Sequence, residues 1–227
     1  MQEYNPKHVV DMLYISLIFS VLFTTLFAFS SASPDALITN AYSNTDKYEE
    51  ETYVNDYILC GEGVDSHAAD ELVKEMLCIP SEIYTHFLNS GWEIEIVENR
   101  IETEDWGKVL ALYKPKDKTL ELSSYYLNSV QHEMGHYFDK RMHPGVENST
   151  LSSTDEWREA FQAEADSLKY IDNLTRYNAY NEQEAFAETF RLHITGKEEA
   201  KEKIPKMWAL MEKYLQKSKE QFGSGQK

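Results

Sequence analysis

The run Val130-Gln131-His132-Glu133-Met134-Gly135-His136-Tyr137-Phe138 constrains this chain more than any other stretch. It contains H-E-x-x-H. On an α-helix, residues four apart lie one turn apart on the same face. His132 and His136 can therefore aim two imidazoles at one point, which suits a tetrahedral Zn²⁺. Glu133 follows the first histidine and can reach a water at that point as general base. Leu127, Val130, Met134 and Phe138 recur at helical spacing, so residues 125–142 read as a helix with an apolar stripe. The alternative is a helix whose two histidines only form a wet face. Two imidazoles alone make a weak site, and a catalytic zinc commonly takes three protein ligands and leaves one position for water.

Downstream, residues 181–192 read as a second helix with Phe186 and Phe190 one turn apart. It offers Glu184 and Glu188, also one turn apart. Each has a purely structural reading. Asn181 and Glu184 stand as a helix cap and its third residue, and Glu188 with Arg191 could be a surface pair.

The two blocks together are more specific than either alone. H-E-x-G-H, then Tyr177, then Asn181-Glu182-x-Glu184-x-Phe186-Ala187-Glu188-x-Phe190-Arg191-Leu192 resembles the catalytic domain of anthrax lethal factor and the secreted Pro-Pro endopeptidases of the same zinc-protease family. The resemblance is clearest over residues 125–195 and extends over about 65–218. It implies one Zn²⁺ per chain held by His132, His136 and Glu184, with Glu133 as general base. It also implies that Tyr177, seven residues before Glu184, donates to the developing oxyanion, and that Glu188 orients a histidine. Tyr180 is a near neighbour of Tyr177 and the other phenol in reach of that role. The expected substrate is an extended peptide or protein. The chain lacks room for the toxin's large amino-terminal portion, which favours a free-standing extracellular protease.

Upstream, the hydropathy period sets the fold class. Residues 65–77 and 81–88 read as helices, with Pro80 between them and Asn89-Ser90-Gly91 closing the second. The period then changes to alternation. Residues 92–97, 108–113 and 119–122 read as strands, with Pro115-Lys116-Asp117 as the turn between the last two. After the metal helix, Ser153 and Glu156 form a capping-box pattern, and Trp157, Phe161, Ala165 and Leu168 give the next helix its core face. Pro205 fits the first turn of a last helix whose Met207, Trp208, Met211, Tyr214 and Leu215 pack inward. The expected fold is α+β: a small β-sheet on a mostly helical body, zincin-like by the resemblance, with the active-site helix at the cleft. The sheet edge could hold a peptide by main-chain hydrogen bonds. Trp106 either lines that groove or anchors a loop.

Residues 12–29 are apolar apart from Ser16, Ser20, Thr24 and Thr25, and Ser30-Ser31-Ala32-Ser33 offers small residues for cleavage. Residues 1–32 are read as a signal peptide, with a membrane anchor over 12–29 as the second option. Residues 33–62 form an acidic segment, a tail before a metallopeptidase domain at 63–227. The expected location is secreted, or anchored on the outer face of the membrane. A net charge of −17 argues against a nucleic-acid or anionic-membrane surface. Cys60 and Cys78 are too few for a disulfide scaffold, though an oxidising compartment permits one bridge. Asn148-Ser149-Thr150 and Asn173-Leu174-Thr175 fit turn or cap roles, and match the glycosylation pattern only for a eukaryotic secretory route. Two other functions fit the same pattern: an exported binding or adhesion module with a structural metal, and a toxin component delivered by a partner protein.

Overall fold

The computed structural model describes residues 52–55, 57–103, 107–142, 149–171 and 180–223, with the backbone alone at 52–55 and 223. The apolar stretch 12–29 lies outside these residues, as do Trp106, Asn148, Asn173 and Tyr177. Among the described residues, no helix is long and apolar enough to cross a membrane.

The described strands are β1 (Thr52–Asn55), β2 (Ile58–Cys60), β3 (Glu93–Val97), β4 (Ile101–Thr103), β5 (Gly107–Val109), β6 (Ala111–Lys114) and β7 (Thr119–Ser123). The helices are α1 (Ala68–Met76), α2 (Ser81–Asn89), α3 (Val130–Arg141), α4 (Asp155–Leu168), α5 (Glu182–Ile194), α6 (Glu198–Lys203) and α7 (Pro205–Gly223). The class is α+β.

Five strands form one sheet in the order β1-β2-β3-β7-β6, and β4 and β5 form a separate antiparallel pair. In β3, alternation buries Ile94 and Ile96 on one face. Parallel pairing places Ile58, Ile94 and Leu120 in one cross-strand row, and Cys60, Ile96 and Leu122 in the next. All six are buried, so this face meets the helices and a one-residue slip would turn the whole set outward. β6 pairs antiparallel with β7 and ends the sheet, so its outer edge has no strand partner among the described residues.

Three expectations change. The strand expected at 108–113 is two. β5 pairs with β4 and β6 with β7, and between them Leu110 turns its carbonyl to the Ser123 N–H at 2.8 Å. The acidic segment 33–62 contributes β1 and β2 from its last eleven residues, where Tyr53, Val54, Ile58 and Leu59 outweigh the preceding charge run. The sheet thus begins before residue 63. Cys60 on β2 and Cys78 after α1 are free thiols rather than a bridge.

The helical half follows the expected periods with two instructive departures. α4 starts at Thr154, whose hydroxyl accepts the Trp157 N–H at 3.3 Å, while Ser153 closes a capping box with Thr150. The expected Ser153–Glu156 box is therefore displaced by one residue. The inner face of α4 is Trp157, Ala160, Glu164 and Leu168, with Phe161 only partly covered. Glu164 occupies a buried place because its carboxylate accepts the Lys206 and Met207 N–H groups, both at 2.9 Å, and so caps α7. On α7 the five residues expected inward are all buried.

Candidate metal centre

The helix α3 carries His132 and His136 at a spacing of four, and their rings stand nearly perpendicular, 4.9 Å apart. Val130, Met134 and Phe138 are fully buried and seat α3 against the core, which fixes the rotation of the two imidazoles. The third donor comes from α5. Asn181 accepts the Gln183 and Glu184 N–H groups, each at 2.9 Å, so the helix starts where Glu184 falls in its first turn. Asn181 and Glu184 thus fill both readings that the sequence left open: one caps, the other reaches the histidines.

Gly135 lets the two helices meet. A Cβ there would stand 2.7 Å from the Ala187 Cα and 2.9 Å from its carbonyl oxygen, closer than atoms pack. With glycine, Glu184 Oε2 lies 3.1 Å from His132 Nε2 and Glu184 Oε1 lies 3.5 Å from His136 Nε2. The three ligand atoms lie within 4.8 Å of one another. A tetrahedral zinc with ligand bonds near 2.0–2.1 Å spaces its ligand atoms about 3.3 Å apart. Two nitrogens and a carboxylate oxygen at these separations fit that ion, and leave a fourth position.

Behind the ligands the polar groups are paired. His132 Nδ1 meets Glu188 Oε2 at 3.1 Å, and Glu188 Oε1 accepts the Arg191 Nε–H at 3.0 Å. Glu188 is fully buried and Arg191 nearly so. The surface pair considered for Glu188 and Arg191 is thus an interior one. This contact fixes the His132 tautomer when a metal takes Nε2. Burial pushes His132 toward the neutral form. Hydrogen bonds to Glu184 and Glu188, with the charge of Glu133, overcome it and hold the imidazolium up to about 10. Burial likewise opposes ionisation of Glu184 and Glu188, but the facing histidines, and Arg191 for Glu188, hold each down to about 2. A cation here replaces a proton, so metal uptake releases one.

Glu133 is buried. Desolvation raises its carboxyl above the ordinary range, against the pull of His132 and His136, and the Tyr113 N–H of β6 faces it. A carboxylate moved toward neutrality and placed beside two metal ligands suits a general base. Tyr180 is exposed. Partial burial and the charge of Glu184 push its hydroxyl pKa up.

A second brace holds Glu184 in place, and the sequence reading missed it. Asp139 lies one turn beyond His136. Its carboxylate accepts the Ser152 N–H at 2.7 Å and the Ser152 hydroxyl at 2.6 Å. That turn leads into α4, whose Trp157 Nε1 donates to the Glu182 carbonyl at 3.0 Å, at the start of α5. The two ligand-bearing helices are therefore tied twice, through Gly135–Ala187 and through Asp139–Ser152–Trp157. The only advance signal was a glycine inside a helix, which usually marks a packing constraint.

Residues 109–214 match the family model described as anthrax toxin lethal factor, N- and C-terminal domain. Over this region the chain is similar to the lethal factor family. The lethal factor match runs from the end of β5 into α7 and takes in both ligand helices. Among solved structures, the chain is similar to the Pro-Pro endopeptidase from Paenibacillus alvei, with a TM-score of 0.54 and 20% identity over 69% of this chain and 96% of that one. At that identity the likeness is one of fold, and the fold is the expected zincin-like one. No curated protein matches this chain.

Proposed function

We propose that this chain is an exported zinc-dependent endopeptidase that hydrolyses internal peptide bonds of protein substrates. One observation carries the reading: His132, His136 and Glu184 converge from two helices beside a buried glutamate, Glu133. A site serving only to brace the fold has no use for Glu133.

His132, His136 and Glu184 would hold the ion, which when bound supplies Lewis-acid polarisation of the scissile carbonyl and acidifies a water. Glu133 takes the proton of the attacking water and hands it to the leaving amine. Its raised pKa brings it closer to the acidity that both transfers need. Tyr177 is proposed, from its place seven residues before Glu184, to donate to the oxyanion. Glu188, held by Arg191, keeps His132 in its ligating orientation. β6, whose outer edge has no strand partner among the described residues, packs beside α3 and offers main-chain groups to an extended peptide. Export rests on residues 1–32, read as a signal peptide, or on 12–29 as an outer-face anchor.

Glu133→Ala tests the reading. Zinc content and fold should persist while cleavage of a peptide library, mapped by mass spectrometry, falls by about 10²–10⁴-fold. Cleavage at the unaltered rate, or cleavage by the parent chain that survives a chelator, would sink it. Edman sequencing of the exported protein decides between removal and retention of residues 1–32.

A further inference from the structure

Away from the ligand face of α3, three buried polar atoms have nothing to bond. Trp92 precedes β3, Tyr113 lies in β6 and Arg141 ends α3. The Trp92 and Tyr113 rings stack 5.0 Å apart and 8° from parallel. The guanidinium carbon of Arg141 lies 5.7 Å from the centre of the Trp92 ring and 5.7 Å from that of Tyr137. Trp92 Nε1, the Tyr113 hydroxyl and Arg141 Nε are each sealed from solvent and have no hydrogen-bond partner among the described residues. Trp92 is fully buried, and Arg141 makes no ion pair among those residues.

Buried polar groups in native proteins are almost always satisfied, so three orphans on side chains grouped around the Trp92 ring point to an occupant. Two of the three atoms can only donate. Burial pushes the Tyr113 phenol up to about 12, against the nearby charge of Arg141, so it also keeps its proton to donate. The carboxylate of Asp139, within electrostatic reach of Tyr113, is already taken by both donors of Ser152. The Tyr137 hydroxyl is taken by His86 Nδ1 at 2.6 Å. A water would have to place two hydrogens of its own among donors and ring faces. An anion, which only accepts, suits a group of donors and answers the arginine's charge.

We propose that Trp92, Tyr113 and Arg141 bind a small monovalent anion of halide size. Nothing in the endopeptidase reading requires this site, and the two stand or fall separately. The anion would pin β6 to the end of α3. The Tyr113 ring lies 6.1 Å from that of His136, so this pin would steady the side of the metal centre next to His136.

The test is thermal unfolding of the full chain in sodium chloride against sodium gluconate at equal ionic strength, both zinc-loaded and after chelation. The paired conditions separate a halide on the metal from one at this site. Chloride should raise the melting temperature along a saturating curve, in both metal states, where gluconate does not. Arg141→Met should abolish that rise, and Tyr113→Phe should weaken it while keeping the ring stack. Coincident chloride and gluconate curves would mean only screening of an acidic chain, and would overturn the proposal. Should Arg141→Met fail to fold, bromide-soaked crystals of the unaltered chain still decide. An anomalous peak within hydrogen-bond reach of Trp92 Nε1 supports the site, and a water without anomalous signal removes it.

Discussion

Two seams run along α3, and they are built in opposite ways. On one side α3 meets α5 and the turn at 151–153, where polar groups are matched: His132 with Glu184 and Glu188, Glu188 with Arg191, Asp139 with Ser152. Backbone meets backbone at Gly135 and Ala187. On the other side α3 meets Trp92 and β6, where rings stack and the Trp92, Tyr113 and Arg141 donors lack protein partners among the described residues. A metal centre tolerates no error in ligand position, so rigidity belongs on the first side. Under the proposed function the second side is a wall for peptide, and non-directional ring contacts suffice to hold it.

The largest effect should come from breaking the matched seam at its charge. Glu188→Ala leaves Arg191 buried without its carboxylate and frees His132 Nδ1. Removing one partner of a buried pair costs about 3–5 kcal/mol. Losing the group that orients a ligating histidine costs about 10–100-fold in metal affinity. Denaturant unfolding and competitive zinc titration read the two effects separately. An unchanged zinc affinity would mean that the seam does not serve the ligands.

Asp139 gives the same seam a pH signature. Burial holds its carboxyl up to about 6, against an ordinary 3.8, despite the Ser152 hydrogen bonds. The folded chain therefore binds this proton more tightly than the unfolded one. Its contribution to stability is fully present below pH about 4 and is lost as pH rises to about 6, worth about 3 kcal/mol. Asp139→Asn removes the titration. On the metal-free chain, the stability of the parent relative to this variant should rise as pH falls from 6 to 4. A constant difference across that interval would assign Asp139 an ordinary carboxyl.

These two groups mark where the sequence was legible and where it was not. H-E-x-x-H fixed α3 and its ligand face because helical periodicity is a local property, and His132, Glu133 and His136 stand where spacing placed them. Glu184 needed the resemblance, since nothing local separates a helix cap from a ligand. The bonds of Asp139, Ser152 and the Trp157 indole were invisible because they join positions whose meeting depends on tertiary packing. The break at Leu110 was hidden for a related reason. Val109-Leu110-Ala111-Leu112 reads as one apolar run, and only the choice of partner strand divides it. Glu164 broke the apolar face expected of α4 because the helix it caps begins about forty residues later.

Gly135→Ala attacks the contact between backbones. Alanine is the better helix former by about 1 kcal/mol, so an open site would gain stability. Here the added carbon meets Ala187 backbone, which has no rotamer to yield, and α5 must move. Overpacking of this kind costs about 1–3 kcal/mol. Zinc affinity should fall with it, because Glu184 rides on the displaced helix. A more stable variant with unchanged zinc affinity would show that the helices are not in contact at this point.

The smallest effect should come from the other seam. Lys114 at the end of β6 donates to Glu121 on β7 at 2.8 Å, and both side chains are partly covered. Lys114→Ala loses a cross-strand ion pair worth about 0.2–1 kcal/mol. Zinc affinity should stay within error, since no ligand hangs from this strand. Peptide cleavage is the sharper reading. If β6 receives substrate along its outer edge, loosening its end should raise KM with kcat nearly unchanged, because the lost contact positions the peptide rather than the reacting atoms. A fall in kcat with KM unchanged would place β6 in the chemistry and erase the division between a rigid seam and an adjustable one.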